Sequence, residues 1–212
     1  MKITIFGATG GIGGHLVRQA LDAGHEVTAV VRDPARFELS HPALEVATVP
    51  DLADAELLRP ALAGREAALS AVGPRGRKDG PVASGLTRAI LPTLADGGVR
   101  RFVAVSAAPV APAPAGDSFL NRRILLPFIS ALLRDVYADL ADMEDAIRHS
   151  AADWTVIRPP KLVNKPLTGS YRTAADASVP RGYTIGRADV AHVMLAALND
   201  PTTHDRAIGV AY

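Results

Sequence analysis

Residues 1–36 constrain the fold of this chain more than any other stretch. An apolar run, Ile3-Thr4-Ile5-Phe6, leads directly into Gly7-Ala8-Thr9-Gly10-Gly11-Ile12-Gly13. A helical pattern follows as far as Gly24, and then a second apolar run at residues 27–31. Strand, glycine turn, helix and strand make one βαβ unit, because two parallel strands can be joined only by a crossover. The first run carries no charge after Lys2, as suits a parallel strand covered on both faces. Ile12, Leu16 and Ala20 share a helical face with Val17 and Leu21 beside it, which gives the helix an apolar side to lay on a sheet. Gly24 stands where a helix commonly ends. The expected fold is α/β: a Rossmann-type, doubly wound, mostly parallel sheet flanked by helices on both faces.

The turn also has a chemistry. Gly7 permits the sharp departure from the strand, Gly10 lets the backbone approach a pyrophosphate, and Gly13 lets the helix pack closely. A helix starting near Gly11 directs its free N–H groups and positive dipole end at the phosphates, with Thr9, Gly11 and Ile12 in the same turn. No Gly-Lys-Ser/Thr follows, which argues against a P-loop for nucleoside triphosphates. The end of the second strand separates NAD from NADP. An acidic residue there meets a free ribose 2′-hydroxyl, whereas arginine meets a 2′-phosphate. This chain has Arg32, with Arg36 one helical turn on, and Glu26 lies at the wrong end of the strand. Two guanidiniums can fork onto a phosphate, so NADP(H) is the expected cofactor. The rival reading is a solvated basic loop.

The totals narrow the class. The chain has 212 residues and 48% hydrophobic content, enough for one domain with a large core, and no apolar run approaches the roughly 20 residues of a membrane span. Strand one begins at Lys2 and leaves no room for a signal peptide, so a cytoplasmic location is expected. The absence of cysteine excludes disulfides, thiol catalysis and thiolate metal sites. Lys+Arg 23 against Asp+Glu 22 leaves a net charge of +1, no footprint for nucleic acid or an anionic membrane. His15, His25, His41, His149, His192 and His204 form no zinc-like spacing, and no metal is expected.

Further along, a third strand at residues 44–49 ends in Pro50-Asp51-Leu52. In a doubly wound sheet, ligands lie outside the carboxyl ends of the strands. Asp51 is placed to accept from an adenine amino group with Leu52 against the ring, or else to cap a helix at residues 53–62. A fourth strand at 67–72 leads to Gly73, which allows close backbone approach to the central ribose or pyrophosphate. Residues 75–80 read as a mobile loop. A helix with Leu86, Ile90 and Leu94 in register follows. Strand five spans 101–105, and Ser106 at its end faces the nicotinamide side, where it either bonds a substrate carbonyl or the nicotinamide amide or simply caps the strand. Pro109, Pro112 and Pro114 mark a spacer or lid. The apolar stretch within residues 119–133 reads as a cover for the site or a subunit interface.

A helix bearing Val136, Leu140, Met143 and Ile147 on one stripe carries Tyr137. Position 141 is Ala141, so the Tyr-x-x-x-Lys pair of short-chain dehydrogenases is absent and Tyr137 reads as structural. Strand six at 154–157 runs into Arg158-Pro159-Pro160-Lys161. Pro159 walls the nicotinamide end, and Lys161 is the cation placed to meet an anionic or carbonyl substrate. Residues 167–171 read as a strand or hairpin, 189–198 as the last helix, and 207–212 as the final strand. No linker or repeat divides residues 1–212. Substrate-side inserts fall near 107–135 and 159–183.

These motifs together resemble the atypical short-chain dehydrogenase/reductases, in particular the NmrA-like and biliverdin reductase B/flavin reductase-like NAD(P)-binding domains. The resemblance rests on Gly7 to Gly13, Val30-Val31-Arg32-Asp33 with Arg36, Pro50-Asp51-Leu52 and Val105-Ser106-Ala107. It continues at Arg158-Pro159-Pro160, Pro166 to Tyr171 and Arg187-Ala188-Asp189-Val190-Ala191. It implies NADP held by the glycine turn, Arg32, Arg36 and Asp51-Leu52, with Ser106 near the nicotinamide. The chain departs from the biliverdin reductase B pattern at Lys161, where that pattern has histidine, and in the insert from Pro109 to Asp135. The expected function is an NADPH-dependent oxidoreductase passing hydride to a small-molecule acceptor such as a flavin or quinone, with Ser106 and Lys161 orienting it. The protein would act as a monomer or homodimer. The alternatives are a redox-sensing regulator that binds NADP without turnover and, last, an isomerase or epimerase.

Overall fold

Each apolar run becomes a strand, and helices carry the chain between most of them. The computed structural model describes residues 1–73, 81–110 and 133–212. In chain order the main elements are β1 (Lys2–Phe6), α1 (Gly13–Asp22), β2 (Glu26–Val31), β3 (Leu44–Thr48), α2 (Ala55–Leu62), β4 (Ala67–Ser70), α3 (Val82–Asp96) and β5 (Arg101–Val105). There follow α4 (Arg134–Arg148), β6 (Asp153–Arg158), β7 (Lys161–Val163), β8 (Arg172–Ala175), β9 (Thr184–Gly186), α5 (Arg187–Leu198) and β10 (Arg206–Ala211). Eight strands form one sheet in the order β3-β2-β1-β4-β5-β6-β10-β8. Only β8, at one edge, runs antiparallel to its neighbour. The order reverses between β1 and β4, and that switch point opens a crevice at the carboxyl ends of the strands.

The period-2 alternation along the strands divides the core in two. Ile3 and Ile5 of β1 and Val103 of β5 face α1 and α5, where they meet Leu16, Val17, Val190 and Met194. Phe6, Phe102 and Val156 point to the other side, against Leu58, Leu62, Ile90, Leu94, Met143 and Ile147 of α2, α3 and α4. The stripes on α1 and α4 thus bury as their spacing requires. Arg101 is a charged exception: it is buried and donates to the carbonyls of Asp153 and Ala197, both at 2.6 Å, and to Thr155 Oγ1 at 2.7 Å. Burial lowers its pKa to about 10, so it stays charged at neutral pH, tying β5 and β6 to the end of α5.

Four expectations change. Helix α2 begins at Ala55 and is capped by Asp54, whose carboxylate accepts from Glu56 N–H at 2.9 Å. Asp51 closes a local turn on Ala53 N–H instead. Residues 167–171 are not a strand. Two short segments not foreseen as a pair, β7 and β9, form a separate parallel two-stranded sheet. The last helix starts at Arg187, directly after β9. The expected loop at 75–80 and most of the insert, including residues 119–132, lie outside the described residues. No helix among the described residues is long and apolar enough to cross a membrane.

Candidate functional site

The cleft at the switch point is built by the first turn of the chain. Gly7 adopts φ +78°, and a Cβ there would lie 2.7 Å from the carbonyl oxygen of Ala71, so the turn fits against the end of β4 only as glycine. A Cβ on Gly13 would lie 2.0 Å from Gly7 O, which is why α1 can start directly over the strand end. Gly10 N–H donates to Gly7 O at 2.9 Å and completes the turn.

One end of the cleft is lined by Val30, Val31, Arg32 and Leu52, and its middle by Gly7, Thr9, Gly10, Gly11, Ile12 and the segment from Ala71 to Gly73. The far end is lined by Val82, Val105, Ser106, Leu140 and Leu162, while Arg187 lies against Gly11 in the middle. Arg32, Asp33 and Arg36 enclose a neighbouring recess with Thr9. Two guanidiniums therefore meet at the edge of the apolar slot formed by Val30, Val31 and Leu52.

Ser106 extends the β5–β6 pairing, its N–H donating to Ile157 O at 2.8 Å. Its side chain is buried, and its hydroxyl finds no partner among the described residues. A buried hydroxyl left unpaired costs roughly 1–3 kcal/mol. The wall around it is held by two buried carboxylates. Asp139 of α4 accepts from the N–H groups of Ala83 and Ser84, both at 2.9 Å, and so caps the start of α3 beside Val82. Glu144 is fully buried and accepts from Arg158 Nε at 2.9 Å, and it also pairs with Arg148 at 2.6 Å. Arg158 ends β6, just before Pro159, whose carbonyl accepts from Ala108 N–H at 2.8 Å. A third buried carboxylate, Asp189, takes the N–H groups of Thr168 and Gly169 at 3.0 and 2.8 Å and the Tyr212 hydroxyl at 2.6 Å. Burial pushes its pKa up, but the bonds from Tyr212, Gly169 and Thr168 prevail and hold it below the ordinary 3.8.

Not every expected residue reaches the cleft. Lys161 opens β7 with an exposed side chain and is not among the lining residues. The next residue, Leu162, points in instead, as alternation along a strand requires. Asp51 is exposed and engaged with Ala53, while Leu52 beside it lines the slot. Pro159 is buried and is not among the lining residues. Tyr137 is half-buried against the α3–α4 core, its pKa raised by burial, and lies outside the cleft. The residues not foreseen as lining are mainly aliphatic (Val82, Leu140, Leu162), and such residues carry no signal that separates a pocket wall from a core. Arg187 is the exception.

A family model described as NAD(P)H-binding matches residues 7–201, almost the whole of this architecture. The chain belongs to the NAD(P)H-binding family. Among curated proteins it is 29% identical over 219 residues to the uncharacterized sugar epimerase YhfK of Bacillus subtilis strain 168, covering 98% of this chain and 92% of that one. Among solved structures, a short-chain dehydrogenase/reductase of Veillonella parvula in complex with NADP superposes with a TM-score of 0.79 at 20% identity, covering 100% of this chain and 94% of that one. The anaerobilin reductase ChuY of Escherichia coli O157:H7 gives 0.79 at 20%, over 100% and 97%. A candidate NADH-flavin reductase from Streptococcus pneumoniae TIGR4 gives 0.81 at 24%, over 100% and 99%. These likenesses establish a common fold.

The residues of this NAD(P)H-binding protein fit a dinucleotide on their own terms. The glycine turn can close only because Gly7 and Gly13 carry no side chain, and it brings the start of α1 to the lining of the cleft at Gly10, Gly11 and Ile12. The slot offers aliphatic surface for an adenine. The recess beside it offers two guanidiniums, and the Ser106 hydroxyl lines the opposite end.

Proposed function

We propose that this protein is an NADPH-dependent reductase that passes hydride to a flavin, quinone or similar conjugated acceptor. The observation that carries this reading is the composition of the cleft's far end. Among the described lining residues, Ser106 shares the cleft with Val82, Val105, Leu140 and Leu162, and no carboxylate, histidine, lysine or tyrosine is present. Epimerising a sugar or oxidising an alcohol requires a group that takes up the hydroxyl proton. A planar, electron-poor acceptor has no such requirement, because hydride adds to it and water supplies the proton. A greasy slot with one hydroxyl suits that chemistry.

The chain's residues divide the work. The N–H groups of Gly11 and Ile12, beyond the Gly10 N–H that closes the turn, hold the pyrophosphate. Arg32 and Arg36 fork onto the 2′-phosphate, which makes NADPH the preferred cofactor. Val30, Val31 and Leu52 take the adenine. When bound, the reduced nicotinamide supplies the hydride. Ser106 donates its hydroxyl proton to the nicotinamide carboxamide or to the acceptor carbonyl and so fixes the two planes against each other. Leu140 and Leu162 exclude water from that contact. Lys161 remains a candidate only for steering an anionic acceptor from outside. The reductase names among the structural neighbours, for a flavin and for anaerobilin, support acceptors of this class.

The test follows loss of NADPH absorbance in the presence of FMN, menadione and biliverdin, beside direct NADPH binding. Turnover with at least one acceptor is expected, reduced in Ser106→Ala. Tight NADPH binding with no oxidation across the panel would refute the reductase and favour a regulator that only senses the cofactor.

A further inference from the structure

Gly11 is the one glycine of the turn whose missing side chain is explained by another side chain rather than by backbone. A Cβ at Gly11 would lie 2.8 Å from Arg187 Cδ and 2.9 Å from Arg187 Nε. The stem of Arg187 is therefore laid across the turn, and its guanidinium hangs over the start of α1. Its direction is fixed from the other side, since one guanidinium nitrogen donates to Asn164 Oδ1 at 2.7 Å. Asn164 follows β7 and Arg187 follows β9, and these two strands pair in parallel. The small second sheet thus delivers both residues from the same end, over the glycine turn.

The charge balance of the cleft gives this placement a meaning. A pyrophosphate carries negative charge that N–H dipoles alone offset only in part. Arg32 and Arg36 stand at the opposite side, around the recess with Thr9. Of the described residues lining the main cleft, Arg32 and Arg187 are the two charged ones. Of these two, Arg187 is the one that lies against Gly11, at the middle of the cleft.

We propose that Arg187, braced by Asn164, is a pyrophosphate-binding residue, and that glycine is required at position 11 to admit its side chain. The proposal rests on the NAD(P)H site and not on the identity of the acceptor. Failure of the reductase reading appears as absent turnover with binding intact, and failure of this proposal appears in binding itself.

The experiment measures Kd for NADPH and for NADH by titration of the full chain, comparing wild type with Arg187→Ala, Arg187→Lys, Asn164→Ala, Gly11→Ala and the Gly11→Ala/Arg187→Ala double variant. Arg187→Ala should weaken both cofactors by the same factor, on the order of tenfold or more, as for loss of a hydrogen bond to a charged group. Arg187→Lys should recover part of that loss, and Asn164→Ala should lose less. Gly11→Ala should weaken binding by displacing the guanidinium, and should cost little more once Arg187 is already Ala. Unchanged affinity for both cofactors in Arg187→Ala would overturn the proposal, as would a loss confined to NADPH, which would assign Arg187 to the 2′-phosphate. An equal cost of Gly11→Ala with and without Arg187 would also overturn it. Unfolding curves of the unliganded variants separate these outcomes from misfolding.

Discussion

Glu144→Gln should destabilise this protein far more than an ordinary exchange on a helix. Glu144 is fully enclosed, and the Arg158 side chain it holds is only 7% exposed. Its second partner, Arg148, is 44% exposed and can turn to water, so the damage concentrates on Arg158. Glutamine preserves shape and leaves a buried guanidinium without a counter-charge, a change that typically costs about 3–5 kcal/mol. Against a total stability of about 5–15 kcal/mol, that is a large share. For a chain of this size it corresponds to a fall in Tm of about 6–20 °C. The assay is urea and thermal unfolding followed by circular dichroism, with Glu144→Met/Arg158→Met as companion. Replacing both charges by apolar side chains of similar length should restore most of the loss. A single-variant cost below about 1 kcal/mol, or a double variant as unstable as the two singles added, would refute the view that a mutually dependent buried pair anchors the end of β6. Activity should also respond, because Ser106 N–H bonds Ile157 O immediately before Arg158.

Three further outcomes are expected. Arg32→Ala should weaken NADPH by about 1.5–3 kcal/mol and leave NADH nearly unchanged in parallel titrations, and equal losses would contradict the 2′-phosphate assignment. Asp189 has a folded pKa below 3.8, so its carboxylate stabilises the fold fully above that value, and the contribution disappears as pH falls through the lower, folded value. The stability gap between wild type and Asp189→Asn should therefore be widest near neutral pH and close at acid pH, and a gap independent of pH would count against the charge-assisted bonds to Thr168, Gly169 and Tyr212. Gly13→Ala places a methyl 2.0 Å from the Gly7 carbonyl, where only backbone can yield; a cost of roughly 1–3 kcal/mol in denaturant midpoint, with weaker cofactor binding, is expected.

Much of the site was legible in the linear order of residues. The spacing of Gly7, Gly10 and Gly13 between two apolar runs dictates a turn against a parallel strand, since each glycine meets backbone that a side chain would strike. Arg32 and Arg36 follow the second strand at a fixed interval, so their convergence was a local matter. The place of Ser106 in the cleft lining was legible because strand ends place single residues predictably. Lys161 was misplaced because one step along a strand reverses direction, and the sequence around Pro159-Pro160 does not reveal which of Lys161 and Leu162 turns inward. Asp51 was expected in the slot, but a local N–H claims its carboxylate.

The sequence by itself determined the class of fold, the glycine turn and the basic residues beside it, because these depend on contacts within some thirty residues. Only the tertiary structure decided which carboxylates are buried. Asp139, Glu144 and Asp189 look like ordinary acids of solvated helices until partners some 14–56 residues away close on them. It also decided the place of Arg187, which meets Gly11 across nearly the whole length of the chain. No local pattern records a contact delivered by two short strands that lie apart in the sequence and pair in a separate small sheet.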